Sequence, residues 1–295
     1  MKWNPLNTSI GLALGGGAAR GLAHIGVLKA FEEEGVTISC ISGTSIGALV
    51  ASYYAFGKSI DEIANIGSRL HLRKVINFTF KKRGVFSTEG IRELIERDLG
   101  DVRIEDARMP LAICTTDIIS GKQVVFREGN LADAVCASVA VPGLFVPVEI
   151  DDHLLVDGGI VENVPISPLE AMGAGIIVAI DLNGVKNYPD PDDMLDVISN
   201  AIDISMDLTT QEQLKKADIT LSLDLSSYNR IGNNDRAEQL VMEGYRPMKH
   251  KINRLLWYKR SNLIVYLYKV MREILPVKVP LLIGKLLDKN RLLEK

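Results

Sequence analysis

The chain has 295 residues, 47% of them hydrophobic and 24% charged, which suits one large α/β domain or two small ones and excludes a disordered chain. Its three cysteines (Cys40, Cys114, Cys136) and four histidines (His24, His71, His153, His250) form no Cys-x-x-Cys pair and no ligand-spaced cluster. No disulfide framework, metal site or cofactor is therefore expected, and the thiols read as buried and reduced. The net charge of −3 conceals a basic end, because residues 249–295 hold twelve Lys and Arg against three Asp and Glu.

Residues 9–14, Ser-Ile-Gly-Leu-Ala-Leu, read as a buried first strand. It ends in Gly15-Gly16-Gly17. Residues 18–34 follow as a helix with Leu22, Ile25, Val27, Leu28 and Phe31 on its apolar side and Gly35 as its stop. The second strand, residues 38–41, runs into Gly43-Thr44-Ser45-Ile46-Gly47 and then a helix to about Phe56. Another helix spans residues 59–70, with Ser59 as cap and Asp61 and Glu62 in its first turn. Residues 71–87 are basic and irregular, a surface loop. Further helices are expected over 88–99, 131–139, 167–172, 194–215 and 235–258. Further strands are expected over 111–117, 123–126, 148–150, 154–156, 175–180 and 219–224. This alternation predicts an α/β fold, a mostly parallel central sheet with helices on both faces. Ligands in such sheets sit at the carboxyl ends of the strands, where both Ser45 and the triglycine fall.

Gly43-Thr44-Ser45-Ile46-Gly47 is a Gly-x-Ser-x-Gly turn from strand to helix. Gly43 and Gly47 lack the Cβ that would block so sharp a turn, and the helix N-terminus supplies free N–H groups beside the hydroxyl. Ser45 is a candidate nucleophile; the alternative is a tight turn with a capping serine. Gly15-Gly16-Gly17-Ala18-Ala19-Arg20-Gly21 lacks the glycine spacing of a dinucleotide loop and the Gly-Lys-Ser/Thr of a nucleotide loop. Free N–H groups there suit an oxyanion hole, with a tight turn into a packed helix as the alternative. Asp157-Gly158-Gly159 after an apolar strand is by itself a common turn. Beside Ser45, a carboxylate desolvated in an apolar cleft becomes a competent base.

The three motifs in this order resemble the patatin-like phospholipase family. The stretch from Ala137 to Pro147 (Ala-Ser-Val-Ala-Val-Pro-Gly-Leu-Phe-Val-Pro) and the segment from Asp235 to Tyr245 are similar to bacterial members. The resemblance covers about residues 8–248. It implies a three-layer α/β/α fold and a Ser45–Asp157 dyad without a catalytic histidine. It also implies an oxyanion hole from Gly15, Gly16, Gly17 and Ala18, with Gly43, Gly47, Gly158 and Gly159 in support. The implied activity is hydrolysis of carboxylic esters of phospholipids or lysophospholipids through an acyl-enzyme. An acyltransferase sharing that intermediate, or a non-catalytic lipid-binding module, are the alternatives. Arg20 either binds a phosphate or braces neighbouring loops. His24 reads as a helix residue with a satisfied ring. A Ser45–Asp–His250 triad is formally available, but His250 lies in a Lys-rich, solvent-facing helix.

The expected organisation is a catalytic domain over 8–248 and a helical, basic, amphipathic extension over 249–295. Trp257, Tyr258, Tyr266 and Tyr268 among Leu, Ile, Val, Lys and Arg suit a peripheral membrane contact. Packing on the domain or a homo-oligomer contact would use the same residues. No nucleic-acid signature is present. With no signal-like segment and no run of about 18 apolar residues, the expected location is cytoplasmic, with membrane contact at most peripheral.

Overall fold

A computed structural model describes residues 8–69, 77–78, 83–185, 188, 190–192, 194–228 and 236–260. Strand β1 (Ile10–Leu14) leads through a 3-10 turn (Ala18–Gly21) into α1 (Leu22–Glu33). Strand β2 (Cys40–Thr44) is followed directly by α2 (Ile46–Ala55) and then α3 (Ile60–Arg69). The predicted surface loop contains a short antiparallel ribbon, β3 (Asn77–Phe78) with β4 (Phe86–Ser87); residues 70–76 and 79–82 lie outside the described residues. Next come α4 (Glu89–Leu99), β5 (Leu111–Asp117), β6 (Lys122–Phe126) and α5 (Leu131–Ser138). The hairpin β7 (Val148–Ile150) and β8 (His153–Asp157) is followed by α6 (Gly159–Glu162) and α7 (Ser167–Ala171). The chain then forms β9 (Ile176–Asp181), α8 (Met194–Leu214), β10 (Ile219–Ser222) and α9 (Ala237–Arg260).

The central sheet runs β10-β9-β1-β2-β5-β8-β7, with β6 also on β5. Its body from β10 to β5 is parallel, whereas β6, β7 and β8 pair antiparallel, so the sheet is mixed. Successive strand residues point to opposite faces. In β1, Ile10, Leu12 and Leu14 enter the large core under α1, α2, α4, α5 and α9, while Ala13 enters a smaller one with Val164, Leu169 and Ala179. Helices therefore cover both faces.

Strand β5 changes partner along one edge. Its first half pairs with β2, ending with Thr44 opposite Cys114; its second half pairs with β8, with Asp157 opposite Thr115. β6 occupies the other edge across both halves. β2 and β8 therefore run towards each other along β5 and stop at adjacent positions. Their carboxyl ends meet head-on.

β2 extends three residues past its expected end, up to Ser45. The apolar-run signal stops at Ile41 because Ser42 and Thr44 are polar. Both are fully buried, and their hydroxyls donate to Pro165 O at 2.6 Å and Glu162 O at 3.2 Å. Satisfied hydroxyls can be buried in a strand at little cost.

The expected boundary at 248 falls inside α9, whose Met248, Ile252 and Leu255 are buried in the main core. Lys249 also pairs with Glu33 and Glu34 at 3.4 and 3.6 Å. Residues 261–295, which carry most of the expected membrane-contact segment, lie outside the described residues. Among the described residues no helix is long and apolar enough to cross a membrane.

α9 approaches α1 closely because both carry glycine at the crossing. A Cβ on Gly26 would lie 1.8 Å from Val241 O, and one on Gly244 would lie 1.9 Å from Ala23 O. Either Gly26→Ala or Gly244→Ala should therefore force the helices apart and cost about 1–3 kcal/mol. Thermal unfolding should report a lower Tm for each variant; an unchanged Tm for both would remove this contact as a determinant of stability.

Candidate active site

Ser45 sits where β2 turns into α2, with φ 54° and ψ −124°. A side chain there strains the backbone by about 1–3 kcal/mol and persists only if its surroundings hold it. Two glycines make the turn passable. A Cβ on Gly43 would stand 2.4 Å from Gly47 O, and one on Gly47 would stand 2.2 Å from Leu14 O. The Ser45 N–H donates to Ser138 Oγ at 2.9 Å, and the Ser138 hydroxyl donates to Cys114 O at 2.7 Å. Ser138 thus bridges the gap in the sheet where β2 leaves β5.

Asp157 ends β8 and is 4% exposed. Its Oδ1 accepts the Gly159 N–H at 2.8 Å, and the residue lines the same cavity as Ser45. Gly158 must be bare, since its Cβ would lie 2.3 Å from Cys114 O. Burial pushes the Asp157 carboxyl from 3.8 up to about 6; the Gly159 hydrogen bond and the neighbouring Ser45 hydroxyl oppose the rise and the negative Asp203 adds to it. The residue is thus ionised at neutral pH yet far more basic than an exposed aspartate.

The Gly15–Ala18 loop faces the same point, but its four amides are not equivalent. Gly15 N–H donates to Ile180 O at 3.0 Å, and Gly16 N–H donates to Asn163 Oδ1 at 3.1 Å. An N–H already donating within the fold is less available to an oxyanion, which separates Gly15 and Gly16 from the other two. Gly17 and Ala18 N–H have no acceptor among the described residues. Both residues line, with Ser45 and Asp157, a cavity of about 450 Å³. Its apolar walls include Val141, Leu144, Ile160, Ile202 and Met206, and α8 adds Asp196, Asn200 and Asp203.

Arg20 is buried and braces two loops. Its Nε and Nη2 donate to Tyr228 O at 3.1 and 2.9 Å, and its Nη1 donates to Asn183 Oδ1 at 3.2 Å. It also lines the cavity. His250 is exposed on α9 and does not line the cavity. All three cysteines are buried, and burial raises each thiol's pKa. Among the described residues no group of three or more His, Cys, Asp or Glu could hold a metal.

Ser138, Asn163 and Asp203 were not singled out from sequence. Ser138 and Asn163 act through bonds to backbone 93 and 147 residues away, which no local spacing encodes.

A model of the patatin-like phospholipase family matches residues 12–170. The chain belongs to that family. Within it, an uncharacterized NTE family protein of Mycobacterium tuberculosis is 38% identical over 183 residues, 61% of this chain and 51% of that protein. Neuropathy target esterase sws of Drosophila melanogaster is 34% identical over 195 residues, 62% of this chain and 14% of that protein. The match thus spans about half the length of the mycobacterial relative. VipD from Legionella pneumophila shares the fold, with a TM-score of 0.56 at 16% identity over 83% of this chain and 67% of that one.

Holding Asp157 ionised in its buried position costs stability. A folded-state pKa of about 6 against 3.8 means that the folded protein binds the proton more tightly. Stability is therefore greatest below about pH 4 as far as this group is concerned and falls as pH rises through 6, by on the order of 3 kcal/mol. Asp157→Asn should accordingly be more stable than wild type at pH 8, with the gain shrinking towards pH 4. Urea unfolding at both pH values would measure it; equal stability at pH 8 would contradict the desolvated carboxylate.

Proposed function

We propose that this chain is a serine lipid acyl hydrolase that cleaves carboxylic ester bonds of phospholipids or lysophospholipids, with residues 8–248 as its catalytic region. The observation carrying this reading is that the strained Ser45 and the buried Asp157, its carboxyl made more basic by burial, line one largely apolar cavity. Family membership supports it, as do the names of relatives: an esterase and phospholipase domain-containing proteins.

Ser45 Oγ attacks the ester carbonyl carbon while its proton moves to Asp157. The carbonyl oxygen becomes an oxyanion held by the N–H groups of Gly17 and Ala18, which need no reorganisation. Collapse breaks the C–O bond to the alcohol, and Asp157 returns the proton to that oxygen. Water then attacks the acyl-enzyme, giving its proton to Asp157, which passes it to Ser45 as the fatty acid leaves. Among the described residues no histidine reaches Ser45, so the raised basicity of Asp157 takes the role a histidine holds in a triad.

A fluorophosphonate should label wild type and not Ser45→Ala. Asp157→Asn should lose about 10²–10⁴-fold in kcat, whereas His250→Ala should retain wild-type hydrolysis. Failure of wild type to label at Ser45, or a dead His250→Ala, would refute the reading. Because only ionised Asp157 can accept the proton, kcat/KM should rise with pH through about 6. Asp203→Asn removes a negative charge that favours the protonated form, so it should move that inflection to lower pH; a shift upward or none would contradict the assignment.

A further inference from the structure

The peptide joining Gly15 to Gly16 is held at both ends. Its carbonyl oxygen lies 2.8 Å from His24 Nε2, and its N–H donates to Asn163 Oδ1 at 3.1 Å, with Asn163 O a second acceptor at 3.3 Å. A carbonyl only accepts, so Nε2 carries the proton and His24 donates. His24 comes from α1; Asn163 comes from the turn after α6, six residues beyond Asp157. Both side chains are fully buried. Burial pulls the His24 pKa down to about 4, so the ring is neutral at the pH where Asp157 is ionised.

A triglycine run has little conformational preference of its own. Nothing intrinsic stops its peptides from flipping and turning a donor away from the cavity. The adjoining Ala18 is nonetheless held at φ 52°, an unfavourable conformation for a residue with a Cβ. Such strain survives only where neighbouring contacts over-determine it. Gly16 is also the residue that permits one of those contacts, because a Cβ there would lie 2.8 Å from Asn163 Oδ1.

We propose that His24 and Asn163 form a two-sided clamp on the Gly15–Gly16 peptide, positioning the next two N–H groups for the oxyanion. This rests on the hydrolase reading and adds two positioning residues to it. Asn163 also lies close to the loop carrying Asp157, since a Cβ on Gly159 would stand 3.2 Å from Asn163 Oδ1 and 3.1 Å from Asp157 Oδ1. The clamp therefore ties the oxyanion loop to the loop that carries the base. It acts on charge that exists only in the transition state, so its loss should lower kcat and leave KM nearly unchanged.

The test compares wild type with His24→Leu, His24→Gln and Asn163→Leu on a soluble short-chain ester, and measures inhibition by a trifluoromethyl ketone, which forms a tetrahedral oxyanion adduct on serine. His24→Leu and Asn163→Leu should each lose about 10–100-fold in kcat, with KM within about twofold and the ketone weakened by about the same factor as kcat. His24→Gln keeps a neutral N–H donor at similar reach and should recover most of the loss. A general structural defect would not be rescued in this way. Unchanged kcat in either folded leucine variant would overturn the clamp, as would equal weakening of KM and ketone binding. If one leucine variant fails to fold, the other tests the opposite end of the same peptide. Wild type lacking Ser45-dependent turnover would instead refute the hydrolase reading, so the two failures are distinguishable.

Discussion

The arrangement depends on one edge of strand β5 changing partner between Cys114 and Thr115. Up to Cys114 that edge pairs with β2, and from Thr115 it pairs with β8. A parallel strand and an antiparallel one arrive from opposite directions and stop at neighbouring positions. Their final residues deliver Ser45 and Asp157 to one place. The junction leaves no room for side chains: Gly158 lies on the Cys114 carbonyl, and Gly43 lies on the backbone of α2. It also leaves a ladder bond unmade, which the Ser138 hydroxyl replaces between Cys114 O and Ser45 N. The same β5 backbone thus sets the spacing of Ser45 and Asp157 and the strain at the elbow.

Burial acts on the two titratable groups beside this junction in opposite senses. It raises Asp157 to about 6 and lowers His24 to about 4. Both shifts follow from one cause, the cost of charge away from water. For Asp157, burial opposes the ionised form, so the fold carries a destabilising carboxylate at neutral pH. For His24, burial favours the neutral ring that donates to Gly15. Its stability contribution is complete above pH 6.5 and is lost as pH falls towards 4. Above about pH 6, therefore, the carboxylate is charged while the imidazole is already neutral.

The body that holds this site relies on close backbone approach as much as on apolar area. Gly26 and Gly244 let α9 lie directly on α1, and α1 carries His24 and follows the triglycine loop by one 3-10 turn. The position of the loop is therefore linked to a helix more than two hundred residues away in sequence. Arg20 extends this bracing by tying the start of α1 to the loops at Asn183 and Tyr228.

The sequence alone determined the α/β class, nearly every strand and helix, and the motifs that contain Ser45, Asp157 and the triglycine. It could do so because periodicity, glycine-dependent turns and the order of three motifs are local features. It misplaced the end of β2, because buried hydroxyls look like loop residues until their acceptors at Pro165 and Glu162 are known. It also left the four loop amides indistinguishable. Only the tertiary structure decided that Gly15 and Gly16 N–H are already committed while Gly17 and Ala18 N–H have no acceptor among the described residues. Those acceptors, Ile180 O and Asn163 Oδ1, lie on strands and turns brought alongside by the sheet. The antiparallel entry of β8, and with it the meeting of Ser45 and Asp157, was likewise a matter of which edge of β5 remained open once β2 had ended.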